Sequence, residues 1–376
     1  MKTIVTISRV VVGTLFIFSG MVKAIDPLGL AYKMQEFFEV WAADGYFKSL
    51  MGWLNNYAVG FAIFMITLEV VLGVALLVGW QKKLTSWLLF LLTLFFTFLT
   101  AFVLFSGKIR ACGCFGDCIP LTPIQTFTKD IVLTILIIVL LFGQKYMQPL
   151  FKKMIGVVVV LLSLIAVLCL QFYVLKHLPI KDCLPYKPGN NILELRKMPK
   201  DAVQDKFSYS FVYEKGGVKK EFEVSALPDS TWAFSERKQT LVQKGKNNVP
   251  LINDFTFTTE NGTDTTEAIL NQPGEYYLLL VKDIPNTKHS TWLNDFYKLY
   301  TEKKAAGIPA FVVTASAAKQ MHQFLDGQDQ FNMAVFTCDG TAMKTAARVN
   351  PTLFLMKGPV IQNKWAGADI LLALKK

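Results

Sequence analysis

Apolar residues dominate the first half of the chain in long unbroken runs and then give way to short alternating ones. Five runs are long enough to cross a hydrocarbon core of about 30 Å as helices: approximately Ile4 to Val22, Val59 to Trp80, Leu84 to Phe105, Ile131 to Phe142 with its flanks, and Met154 to Val174. Arg9 interrupts the first run and no small-residue cleavage site closes it, so it reads as a retained helix rather than a removed leader. Between the first two, "AYKMQEFFEVW" repeats its apolar positions at helical spacing beside charges, which predicts an amphipathic helix at the outer interface or an ordinary linker helix.

Beyond residue 176 the texture changes. "KDCLPYKPGNN" reads as a linker, and "KFSYSFVYEKGGVKKEFEVS" holds two alternating runs around Gly-Gly, a hairpin. "ERKQTLVQKGKNN" reads as a solvated basic stretch. From about Val249 strands and helices alternate: a hairpin at "FTFTTENGTDTT", a buried strand at "YYLLLV", a helix ending near Gly307, and further strands at "PAFVVTA", "FNMAVFT", "TLFLMKG" and "PVIQNKWAG". That order predicts a mainly parallel sheet covered on both faces. The expected organisation is a four-helix membrane domain over 1–150, a fifth transmembrane helix over 151–178, a linker with a small β-rich segment over 179–248, and an α/β domain over 249–376.

Composition sharpens the membrane reading. Hydrophobic residues make up 52% of the 376 positions, and the mean hydropathy is +0.38. The formal charge of +11 could suggest nucleic acid, but residues 1–176 hold 14 Lys/Arg against 7 Asp/Glu, so the excess flanks the apolar runs. Basic flanks are what membrane orientation requires, and no basic patch interleaved with aromatics exists to grip nucleic acid. The loops carrying Lys82, Lys83, Lys145, Lys152 and Lys153 lack acids and are expected in the cytoplasm. This places the amino terminus inside, and the loop near residue 110 and everything after Lys176 outside the cytoplasmic membrane, where disulfides persist.

Three of the six cysteines fall in "RACGCFGDCIP": Cys112, Cys114 and Cys118, with Cys183 just after the fifth run. Thiol exchange needs an accessible thiolate and a neighbouring sulfur, and these four thiols converge on one membrane surface. Cys112 and Cys114 are the candidate exchanging pair, with Cys118 or Cys183 as the resolving or shuttle thiol. Two other readings stand beside it: disulfides that only staple the loop, and a zinc site, which the spacing fits poorly. Cys169 within the fifth run and Cys338 after a strand read as packing residues. Arg9 and Glu69 are ionisable residues set inside crossings, where charge is costly unless paired or facing a cavity. They are expected to form an ion pair, with a proton or quinone role as the functional alternative.

"SRVVVGTLFIFSGMVKAIDP", "LEVVLGVALLVGW" and "ACGCFGD" resemble the DoxX/MauE family of membrane proteins over about residues 5–145, the last motif pointing to the MauE branch. The family's pattern falls on Arg9, Gly13, Gly20 and Lys23, on Glu69 and Gly73, and on Cys112 to Gly116. The resemblance implies a bundle similar to vitamin K epoxide reductase and a part in periplasmic thiol chemistry, by analogy with MauE in the maturation of methylamine dehydrogenase. A membrane quinone is the electron acceptor that analogy suggests. The segment from Val249 resembles the thioredoxin-like fold of the TlpA and peroxiredoxin type, with Pro351 at the position of that fold's cis-proline. It departs where the Cys-x-x-Cys should stand: "KDIPNTKHSTWLN" has no cysteine, and His289 with Ser290 lacks a third group to orient it. The outer domain is therefore expected to bind an exported client in the groove beside Pro351 and present it to the membrane cysteines, unless a separate thioredoxin-like partner supplies a thiol. The competing function is a non-catalytic membrane scaffold braced by structural disulfides.

Overall fold

A computed structural model describes residues 1–109, 112–113, 115–243, 245, 247–285, 287, 289–326 and 333–375. Helices α1 (Lys2–Ala24), α2 (Pro27–Ala43), α3 (Lys48–Asn56), α4 (Ala58–Val78), α5 (Lys82–Ser106), α6 (Pro123–Phe142) and α7 (Lys153–Lys176) form the first half. Five of them, α1, α4, α5, α6 and α7, are long and apolar enough to cross a membrane. Their outward positions carry exposed Ile7, Phe18, Leu91, Phe98, Leu162 and Phe172, the surface that only lipid covers without cost. The chain is a multi-pass membrane protein.

Helix α1 packs along α4 where side chains are absent. A Cβ on Gly73 would lie 2.9 Å from the Gly13 carbonyl oxygen, and one on Gly13 would lie 2.5 Å from Leu77. Small residues let two membrane helices approach closely enough for dispersion to hold them. Helix α6 begins at Pro123, eight residues before the apolar run. Thr122 caps it, accepting from the Gln125 backbone while the Gln125 side chain accepts from the Thr122 backbone. Helix α2 is capped by Asp26 and starts with Pro27. Its apolar face, Leu30, Met34, Phe37 and Phe38, is buried in the bundle's core, so α2 is part of the packed bundle.

The second half holds two sheets. Strands β1 (Lys206–Lys215), β2 (Val218–Glu223) and β3 (Ala233–Gln243) form an antiparallel sheet in the order β2-β1-β3. The expected hairpin is β1-β2, turning through Gly216 and Gly217, both at positive φ. The stretch read as a solvated basic run is largely β3, a strand at the sheet's edge, where lysines and arginines discourage further pairing.

The larger sheet is built from β4 (Glu275–Val281), β5 (Ala310–Thr314), β6 (Val335–Thr337), β7 (Thr352–Lys357) and β8 (Val360–Ala366), in the order β6-β5-β4-β7-β8. Helices α8 (Ile192–Leu195), α9 (Thr266–Leu270), α10 (His289–Ala305), α11 (Ala318–Asp326) and α12 (Gly340–Ala346), with a 3-10 segment Gly367–Lys375, accompany it. The sheet is mixed, not mainly parallel: β4, β5 and β6 run parallel, while β7 is antiparallel to β4 and to β8. The two-residue turn between β7 and β8 leaves no room for a parallel crossover. Residues of β4 alternate between two cores, Tyr276, Leu278 and Leu280 facing one and Tyr277, Leu279 and Val281 the other. The predicted hairpin near 257–264 is reduced to single bridges at Thr258.

The expected linker is partly core. Tyr186 and Ile192 are buried with Phe255, Phe257 and Leu278, and Asn191 bridges to Val360. The sheet-containing region therefore starts well before residue 249.

Candidate thiol site at the junction of bundle and outer region

The loop between α5 and α6 carries the cysteine motif. Glycines at 107, 113 and 116 adopt positive φ, and the Gly116 amide donates to the Gly113 carbonyl at 2.9 Å, folding the loop back on itself. Cys118 is bonded to Cys183, with Cα atoms 4.9 Å apart. This disulfide ties the cysteine loop to the segment following α7. Cys112 is buried against the bundle core, and Cys114 lies outside the described residues. Two of the four candidate thiols are thus joined, and a third sits six residues away in the same loop. Cys338 is buried in the outer core, and that burial raises its thiol to about 12, so it stays protonated and inert. Among the described residues no cluster suits a metal ion.

Both cysteines of the disulfide are only partly covered, and Cys183 lines a cleft of about 660 Å³ between α2, the cysteine loop, the 183–185 segment and α12. Tyr32, Lys33, Glu36, Asp117, Lys344 and Arg348 also face this cleft.

One wall is an ion network that fastens the sheet-containing region to the bundle. Arg348 Nε donates to Asp26 Oδ2 at 2.8 Å and Arg348 Nη2 to Asp117 Oδ2 at 2.5 Å. Asp117 is the residue before Cys118, so the clamp holds the cysteine loop itself. Burial works against the Arg348 charge, yet Asp26 and Asp117 outweigh it and hold the guanidinium above its usual value. Asp26 is pushed up by its own burial, which Arg348 only partly offsets. Tyr32 of α2 projects into a basic nest, with Lys282, Lys344 and Arg348 each 5.5 Å from its ring centre. Lys282 Nζ donates to Tyr32 Oη and to the Arg348 carbonyl, both at 2.8 Å. Burial, then repulsion from Arg348, lowers Lys282 to about 7. Burial likewise raises Tyr32 to about 12.

Lys282 immediately follows β4, where the expected Cys-x-x-Cys would begin. The side chains of His289 and Ser290 lie outside the described residues. The Asn350–Pro351 bond is cis, as expected from the position of Pro351. Among the described residues Pro351 is packed rather than open. Pro351 is buried under Gly367, whose amide donates to the Pro351 carbonyl at 2.9 Å and whose Cβ, if present, would lie 2.8 Å from the ring. Trp292 closes the other side of Gly367. Open space lies instead in the cleft beside Cys183.

The intramembrane pair also differs from expectation. Arg9 does not meet Glu69. Its guanidinium donates to the carbonyls of Leu76, Leu77 and Gln148 at 2.7 to 2.8 Å, capping the end of α4. Glu69 pairs with Lys23 at 2.5 Å, both nearly sealed from solvent. The antiparallel packing of α1 on α4 explains this: Gly20 lies beside Val70 and Gly13 beside Leu77, so Arg9 falls near the carboxyl end of α4. A second acid, Asp130, lies inside α6, paired with Lys129 and accepting from Thr100 Oγ1 at 3.1 Å. Sequence reading missed it by starting the fourth crossing at Ile131; the Thr122-Pro-x-Gln125 cap was the available signal.

Residues 1–143 match the sequence model of the family described as methylamine utilisation protein MauE. Residues 207–244, essentially the small sheet, match a domain of unknown function, DUF8463. Protein TlpB of Flavobacterium psychrophilum is 28% identical over 137 residues, covering 36% of this chain and 35% of that protein. The chain thus spans about a third of the length of this curated relative. No solved structure matches. The membrane module, over residues 1–143, is MauE-like.

Proposed function

We propose that this chain exchanges disulfides with exported proteins at the outer face of a bacterial cytoplasmic membrane. The observation that carries the reading is the half-covered Cys118–Cys183 bond, whose Cys183 lines the junction cleft. An incoming thiolate attacks Cys183 Sγ, forms a mixed disulfide there and expels the Cys118 thiolate, which takes up the proton the attacking thiol gave up. Cys112 and Cys114, in the same loop, then take up the two electrons, their own disulfide opening to two thiols as the Cys118–Cys183 bond re-forms. The electron acceptor beyond them lies outside this chain, a membrane quinone by analogy or a separate thioredoxin-like partner.

The outer region serves in this reading as a thioredoxin-like docking module without its own thiols. The order β6-β5-β4-β7-β8 and the cis bond before Pro351 support that assignment. Because the open cleft lies beside Cys183, the client is expected there.

A scaffold reading is favoured by a different observation, the Arg348 clamp, which braces the two halves without any chemistry. Alkylation mass spectrometry on membranes before and after mild reduction separates the two. Exchange predicts that Cys118→Ser leaves Cys183 trapped in mixed disulfides with other proteins. A Cys118–Cys183 bond that never opens, and a Cys118→Ser chain that traps nothing, would refute exchange and leave the scaffold.

A further inference from the structure

Beneath the cysteine loop, α1, α4, α5 and α6 surround a small, partly open chamber in which a few polar groups face a largely apolar lining. Its walls include the Lys23–Glu69 pair, the Lys129–Asp130 pair and Thr93. Phe115 of the cysteine loop also lines it, with Lys129 Nζ 5.3 Å from the centre of its ring. Two ion pairs facing one cavity within a membrane bundle are costly to maintain.

Thr93 is 1% exposed, lines the chamber, and its hydroxyl has no hydrogen-bond partner among the described residues. Glu69 Oε2 is equally buried. It contacts Lys23 without hydrogen-bond alignment and so keeps acceptor capacity in hand. An unmatched buried hydroxyl is destabilising, and an ordered water molecule satisfies it. Size decides what the chamber takes. It holds about 20 Å³. One water needs at least roughly 10–15 Å³, whereas a cavity that accepts a benzene ring is about 150 Å³. A quinone ring does not fit.

We propose that this chamber binds a single water molecule, held by Thr93 Oγ1 and Glu69 Oε2, which relays protons between Glu69 and Asp130. A proton on the Asp130 carboxyl passes to the water as the water gives one to the Glu69 carboxylate. Asp130 returns to carboxylate, Glu69 becomes the neutral acid, the water is regenerated and no electron moves. Lys23 and Lys129 hold the two ends, and α5 brings no charged group to the chamber wall, only Thr93 and Phe96. The relay stands apart from the thiol reading and survives its failure.

The test uses full-length protein in lipid nanodiscs, with a structure at a resolution that shows ordered water. Density within hydrogen-bond distance of Thr93 Oγ1 is expected in the wild type and in Thr93→Ser, and is lost in the isosteric Thr93→Val. Infrared spectra supply the second readout. The Asp130 carboxylate band, assigned with Asp130→Asn, should shift in Glu69→Gln, and Thr93→Val should shift it as well. An empty wild-type chamber, or a short-chain ubiquinone lodged in it, overturns the water site. An Asp130 band indifferent to Glu69→Gln overturns the relay.

Discussion

Replacing Arg348 with methionine keeps most of its length and removes its charge. Arg348 is 5% exposed, and its partner Asp26 has a side chain only 20% exposed. Removing one member of a buried pair leaves the other charge uncompensated, at a cost of about 3–5 kcal/mol. Asp117 is 41% exposed, so water replaces most of what it loses and its share is at most about 1 kcal/mol. Junction opening should therefore become at least about a hundredfold more frequent, at 1.4 kcal/mol per factor of ten. Hydrogen exchange reads this directly: amides over 344–351 and at the start of α2 should lose protection, while β4 and β5 keep theirs. A compensating Asp26→Asn, which still caps α2, should restore much of the protection because no orphaned charge remains. Unchanged exchange at the junction in Arg348→Met would show that the clamp contributes nothing and that other contacts hold the halves together.

Three further outcomes follow from the same physics. Lys282 is lowered to about 7 in the folded chain against 10.5 in a solvated one, so the folded junction binds fewer protons across that interval. Protection near Tyr32 and Arg348 should therefore rise as pH climbs through 7 towards 10.5, by up to about 1.4 kcal/mol per unit, and Lys282→Met should flatten the slope. Gly73→Ala puts a methyl group 2.9 Å from the Gly13 carbonyl and should cost about 1–3 kcal/mol, seen as a lower melting temperature in detergent. In folded protein Cys338 should resist iodoacetamide, reacting only after unfolding, since burial keeps it a thiol.

The membrane half was legible because lipid imposes a single strong constraint. All five crossings appear as long apolar runs, and only the start of α6 was misplaced, because its first turn is polar and is defined by a cap rather than by hydropathy. Strands β4 to β7 were equally plain, each a short, mostly apolar run, and β8, with Gln362, Asn363 and Lys364 at its centre, was marked by the turn before it and the apolar residues at its two ends. Orientation within the larger sheet was harder. Alternation of helix and strand speaks for parallel pairing, and only the tight Gly358 turn between β7 and β8 argues otherwise. Strand β3 was hidden by its lysines and arginines, since an edge strand exposed on both faces has no hydrophobic period to reveal it.

The site was legible as a set of residues but not as an arrangement. Cysteine spacing identified the loop, and the convergence of Cys118 and Cys183 followed from topology. Partners were not readable. Glu69 chose Lys23 over Arg9 because of the axial offset between α1 and α4, which no local pattern encodes. The junction depends on Asp26, Tyr32, Asp117, Lys282 and Arg348, drawn from positions up to 322 residues apart. Each looks like an ordinary surface residue until the halves meet.

The membership of Tyr186 and Ile192 in the outer core bears on how that region can be isolated. Tyr186 sits 5.0 Å from Phe255, ring centre to ring centre, and Ile192 is wholly enclosed. A fragment begun at residue 249 would leave a gap where two large side chains belong, a deficit of about 2–5 kcal/mol for each. A fragment begun just after Cys183 would keep both, and would shed an unpaired sulfur that otherwise invites dimers in the test tube.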